Sequence, residues 1–266
     1  WAYAETQYWT PGHTYYFSAI AGDRSQNQIV LDLAAAAGMS LEGLGTATFT
    51  NLAGTNDFLY AESEPRTTGN TLTSAPEAVK LQFAHLLSKV KFTFVNGFAN
   101  SNNTIVVKNV KMVAPSVATI DLTAANLAWA NHEGTVTLDM GHMSEADKVK
   151  IGKSASSDNE RLTIPAPATQ EYTVTFDVEL WMGEVLATES SKTVKINGCE
   201  LLPGHAYNFT ATINHENVDE NPLFPIEFEV EVNEWIEAEF DYGTLAENNA
   251  VVTNEAELKA ALDTNK

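Results

Sequence analysis

The sequence predicts an all-β fold. Three observations lead there. Apolar and polar residues alternate with period two along several segments, so one side of each faces a core and the other faces water. Turn formers separate those segments. Helical periodicity is sparse.

Taken in chain order, the elements run as follows. Pro11-Gly12 suits a type II turn, because Pro presets φ and Gly takes φ > 0. The strand after it carries Tyr15, Phe17 and Ala19 on one face. Residues 31–38 hold Leu33 and four alanines, Ala34 to Ala37, before Gly38, which reads as a short helix with a glycine stop. Strand runs follow at 79–83, 90–95, 105–112 and 136–140, with turns at Asn96-Gly97 and Asn102-Asn103. Tyr172, Val174, Phe176, Val178 and Leu180 alternate with Thr173, Thr175, Asp177 and Glu179. Asn197-Gly198 and Pro203-Gly204 then precede a strand at 207–213. Ile226, Phe228, Val230 and Val232 alternate with Glu227, Glu229 and Glu231. Asn254 followed by Glu257 is a capping pair for a terminal helix over 254–262.

Many short strands broken by turns point to sandwich architecture. Two units are expected, at ~150 residues per domain for a chain of 266. An internal echo supports this: Pro, Gly, His, Tyr, Phe and Ala coincide in 11–19 and 203–211. Charge also shifts along the chain. Residues 1–159 hold 10 Lys/Arg and 14 Asp/Glu, net −4, whereas residues 160–266 hold 5 and 21, net −16. The Ser/Asn/Asp-rich stretch 154–159 is the linker candidate. The expected domains are 1–157 and 158–243, with 244–266 a linker or the start of a further module.

The composition excludes several functions. The net charge of −20 leaves no basic face for nucleic acid or an anionic membrane surface. No apolar run approaches the ~20 residues of a membrane helix. Cys199 is the only cysteine, so there is neither an internal disulfide nor a thiolate zinc cage. The chain opens at Trp1 without a basic or apolar leader, as expected of a trimmed fragment.

The search for chemistry yields no catalytic, cofactor or metal residues. His13, His85, His132, His142, His205 and His215 form no H-E-x-x-H motif. His13 and His205 follow Pro-Gly turns and read as exposed strand starts. His85 is in phase with Leu81 and Phe83 and reads as a buried, hydrogen-bonded imidazole. Cys199 has no base beside it in sequence and reads as a small buried or edge thiol. No phosphate loop and no G-x-S-x-G occur. Glu227, Glu229 and Glu231 lie about 6–7 Å apart on one strand face, too far for one ion without loop ligands. They read as a solvated edge that discourages aggregation. Trp1, Trp9, Trp129, Trp181 and Trp235, with Tyr3, Tyr8 and Tyr242, could stack on sugars, although large aromatics mostly fill cores.

Several segments together resemble the fimbrillin family of Bacteroides-type bacteria. They are Trp9-Thr10-Pro11-Gly12 with Tyr15 to Ala19; Asn56-Asp57-Phe58-Leu59-Tyr60-Ala61; the strand from Val79 through His85 to Val90; Leu162-Thr163-Ile164-Pro165-Ala166; Leu202-Pro203-Gly204-His205-Ala206-Tyr207; and the strand ending in Trp235. Ala166 stands where the family pattern has Gln. The resemblance spans about residues 1–242. It implies two tandem transthyretin-like β-sandwich domains with a few short helices. It also implies a secreted precursor with a lipid anchor outside this chain and assembly with other pilus or surface subunits by strand exchange. In such assembly a neighbour's strand fills an apolar groove opened by loss of an N-terminal strand. The matched residues pack and turn, so no catalytic set carries over. Residues 251–262 resemble the first turn of a right-handed β-helix.

The sequence therefore reads as a non-enzymatic surface protein of the fimbrium or outer membrane, a pilus subunit or adhesin stalk. Its partners would be other subunits, and a host protein or glycan. The rivals are a carbohydrate-binding module and the stalk of a polysaccharide-degrading enzyme continuing past Lys266.

Overall fold

A computed structural model describes residues 9–22, 27–32, 45–71, 79–124, 126–142, 149–150, 153–218 and 225–235. All of these belong to the unit 1–235; residues 236–266 form a second unit outside the description. The helix expected at 254–262 lies there too.

The described chain is almost entirely β. It begins with β1 (Thr14–Tyr15), β2 (Ser18–Gly22), β3 (Ile29–Asp32), β4 (Thr46–Thr50), β5 (Phe58–Glu62), β6 (Arg66–Thr67) and β7 (Ala84–His85). There follow β8 (Ser88–Asn96), β9 (Asn103–Ala114), β10 (Val117–Asp121), β11 (Trp129–Glu133), β12 (Val136–Gly141), β13 (Val149–Lys150) and β14 (Ser154–Ser156). The last elements are β15 (Arg161–Thr163), β16 (Tyr172–Met182), β17 (Val185–Ile196), β18 (His205–Ile213), the single-turn α1 (His215–Val218) and β19 (Phe228–Glu234).

Two hydrophobic cores form. Core one gathers Ile29, Phe49, Phe58, Tyr60, Leu86, Leu87, Ile120 and Ile164. Its residues come from the sheet ordered β11-β10-β4-β3, the sheet ordered β2-β5-β7, and the segments beside them. Core two is larger. It lies between a sheet ordered β12-β9-β16-β17, with β13 beside β9, and a sheet ordered β14-β8-β18-β19, with β15 beside β8. Phe92, Phe94, Tyr172, Phe176 and Phe209 are fully buried there, and Phe228 packs against them. Alternation drives this burial: every second residue of β8 is buried, as is every second residue of β16 from Tyr172 to Val178.

Core two takes strands from both sides of residue 157. β8 pairs with β14 and β15 on one flank and, in parallel, with β18 on the other, opposing Phe92 to Phe209. This places Phe92 in core two, although the expected domain bounds of 1–157 put its strand with the first core. Tyr15 and Phe17 also stay out of core one. With Trp9 they make a half-buried aromatic cluster, centroids 4.8–6.4 Å apart. The expected strand at 79–83 is irregular backbone, and Phe83 is 43% exposed. The cause is local. Leu86, Leu87 and Ser88 are buried one after another, which breaks the period-two phase that would have turned Phe83 inward. Of the helix expected at 31–38, Leu31 and Asp32 belong to β3, and the rest falls outside the described residues.

The internal echo is structural as well. Gly12 and Gly204 both take positive φ, +72° and +66°. In each turn the histidine ring nitrogen meets the proline carbonyl, 2.9 Å for His13–Pro11 and 2.7 Å for His205–Pro203. In each, a backbone N–H five residues earlier donates to the tyrosine hydroxyl: Thr10 to Tyr15 at 2.6 Å and Leu202 to Tyr207 at 2.7 Å.

Candidate assembly surface

Among the sheet edges of the described residues, two bear on assembly. β2 ends its sheet and pairs only with β5 among the described residues. Its residues Ser18 to Ala21 are half-buried, and Ile20 reaches core one. An edge of this kind offers unpaired N–H and C=O groups beside apolar side chains. β19 ends the other sheet and pairs with β18 alone among the described residues. Its outer face carries Glu227, Glu229 and Glu231, all exposed, and no group of acidic, histidine or cysteine side chains among the described residues is set to hold a metal. Its inner face is incompletely covered. Val230 and Val232 stand opposite the buried Phe209 and Tyr207, on the core side, yet remain 44% and 45% exposed.

Four of the six segments that carry the family resemblance converge at one junction. Asp57, just before β5, meets the His85 ring nitrogen Nδ1 at 2.5 Å. The imidazole stacks on the Trp235 indole, centroids 3.5 Å apart and planes within 13°. Lys89 places its Nζ 4.7 Å above the same indole. The Trp235 backbone N–H donates to the Gly204 carbonyl (2.8 Å), and the Gly204 N–H donates to the Leu87 carbonyl (2.9 Å). His85 is hydrogen-bonded as expected, although Leu81 and Phe83, whose buried phase it is expected to share, are not buried. Its partners Asp57 and Trp235 lie far from it in sequence, and only their places in other quoted segments hinted at them.

The remaining sequence candidates disperse. His132 hydrogen-bonds the Pro165 carbonyl at 2.7 Å, while His142 and His215 are exposed. Cys199 is half-buried against core two, and burial pushes its thiol pKa up, away from the nucleophilic thiolate. Trp129 packs on core one and donates its indole N–H to the Leu86 carbonyl at 2.7 Å. Trp181 donates to Glu179 at 2.8 Å, and Lys108 donates to the same buried carboxylate at 2.5 Å, an ion pair that sequence reading did not single out. Trp1, Tyr3, Tyr8 and Tyr242 lie outside the described residues. None of the described helices is long and apolar enough to cross a membrane.

The fimbrillin-like family matches residues 1–235. No curated protein matches the chain. Among solved structures, a fimbrial protein from Bacteroides vulgatus ATCC 8482 is similar at 13% identity, with a TM-score of 0.46 over 80% of this chain and 73% of that one. Two structures bearing cell-adhesion names are also similar. The one from Bacteroides eggerthii DSM 20697 has 15% identity and a TM-score of 0.43 over 71% of this chain and 69% of that one. The one from Bacteroides ovatus ATCC 8483 has 15% identity and a TM-score of 0.44 over 87% and 71%.

Proposed function

Because the chain belongs to the fimbrillin-like family, we propose that it is a non-enzymatic cell-surface subunit of a fimbrium or adhesin stalk that joins its neighbours by strand exchange. The two cores correspond in this reading to two tandem transthyretin-like sandwiches, and the lipid anchor lies outside this chain. The family match over 1–235 carries the reading. The edge of β2, open among the described residues and lined by apolar side chains, supports strand exchange, since such an edge accepts an extended strand by ladder hydrogen bonds and alternate side-chain contacts.

A binding assay tests it. A peptide of about ten residues with alternating apolar side chains is titrated into the chain while the melting temperature is followed. Binding to the native state raises the melting temperature. A scrambled peptide of the same composition leaves it unchanged. Equal shifts with both peptides, or none with either, refute strand acceptance.

Glycan binding is a second reading, favoured by the Trp9–Tyr15–Phe17 cluster outside both cores. Saturable quenching of tryptophan fluorescence across a glycan panel, lost on Trp9→Ala, would support it.

A further inference from the structure

We propose that the stack of Asp57, His85, Trp235 and Lys89 is a latch that holds edge strand β19 on its sheet and ties it to the elements around core one. The strand's own grip is slight. Six of its seven residues are exposed, and its ladder runs along one side only among the described residues. Val230 and Val232 face the core yet stay nearly half exposed, so the middle of the strand contributes little burial. Glu227, Glu229 and Glu231 repeat one charge at every second position.

Both ends are held. At the first end, Phe228 sits edge-on to Phe92 and Phe176 at 5.3 and 6.2 Å, within core two. At the other end the anchor belongs to a different sheet. Trp235 follows β19 directly and lies flat on His85 of β7, whose sheet serves core one. Asp57, the residue before β5 of that same sheet, holds the imidazole in place by its carboxylate. Lys89, the second residue of β8, adds a cation over the indole. The Trp235 N–H to Gly204 bond closes the strand end. The stack therefore joins β5, β7, β8 and the end of β19, and β19 leaves its edge only when the indole leaves the imidazole.

Hydrogen exchange read by mass spectrometry on the full chain tests this. In Trp235→Ala, peptides covering 228–234 should exchange about tenfold faster, while those covering 90–95 and 172–180 keep their protection. His85→Ala, which removes the ring on which the indole stacks, should reproduce the effect. Trp235→Phe, which keeps a ring on the imidazole, should restore most of the protection. Unchanged exchange at 228–234 in either alanine variant overturns the latch, because the ladder and Phe228 would then suffice. A uniform rise over all peptides also overturns it, by showing a general packing role. Should Trp235→Ala fail to fold, His85→Ala and Trp235→Phe decide between the same outcomes.

Discussion

Truncating Phe209 to alanine probes core two at its centre. The side chain is fully buried, stacked 5.4 Å from Phe92 of β8 and 6.4 Å from Tyr207 of its own strand. A buried aromatic ring removes roughly 150–250 Å² from water, worth about 4–6 kcal/mol at ~25 cal/mol per Å². Alanine retains part of that, and Phe-to-Ala truncations in cores cost about 3–5 kcal/mol. That is a large share of the roughly 5–15 kcal/mol that separates native from unfolded states. Urea denaturation followed by circular dichroism should show the loss as a lower midpoint with an unchanged slope. Phe83→Ala is the matched control. Its ring is 43% exposed, so its cost should stay within about 0.5 kcal/mol. Because Phe92 and Phe209 touch across the parallel β8–β18 pair, the double variant should cost less than the sum of the single ones. A loss below about 1 kcal/mol at Phe209, or equal losses at Phe83 and Phe209, would refute the assignment of this core.

Two further outcomes follow from single groups. The Tyr172 hydroxyl is buried without a hydrogen-bond partner among the described residues, and burial raises its pKa above the usual phenol range. A raised folded-state pKa gives stability present below the unfolded value near 10 and lost as pH rises through the folded value. Tyr172→Phe should therefore be neutral or stabilising by up to about 1 kcal/mol and should push the alkaline unfolding midpoint upward; clear destabilisation at neutral pH would show a partner for the hydroxyl. Hydrogen bonds from Asn109 (2.7 Å) and Ser191 (2.6 Å) lower the Asp177 pKa. Its contribution is present above the ordinary carboxylate range and lost as pH falls through the depressed value. Melting temperatures of wild type and Asp177→Asn should converge as pH drops into that range; a constant difference between pH 7 and acid would remove Asp177 as the cause.

Local chemistry reveals some of this architecture and hides the rest. Alternation around Tyr172–Leu180 locates β16 because a strand with one wet face must repeat with period two. Pro-Gly signals locate both echoed turns because only their φ pattern closes them, and the shared tyrosine hydroxyl bonds follow from the same offsets. Phe92 is misplaced by local reading because nothing within its own strand states that its partner is Phe209, far along the chain and in parallel register. Phe83 is misplaced because buried neighbours Leu86 and Leu87 shift the phase, and phase is all that alternation reads. The same limit governs the junction. His85 could be read as hydrogen-bonded from its position, but Asp57 and Trp235 reach it only through tertiary packing. The aromatic cluster of Trp9, Tyr15 and Phe17 looks like core from sequence because a ring's residue type does not state whether a second layer covers it.

The parallel pairing of β8 with β18 also has a consequence for biosynthesis. During translation β8 leaves the ribosome long before β18 is made, since Phe92 opposes Phe209. Domains emerge at roughly 5–20 residues per second, so the strand carrying Phe92 and Phe94 waits several seconds for its neighbour. Through that interval its aromatic face is adhesive to any other nascent chain. Strand β16 brings Phe176 to Phe94 on the way, but the face is complete only after β18 and β19 have supplied Phe209 and Phe228.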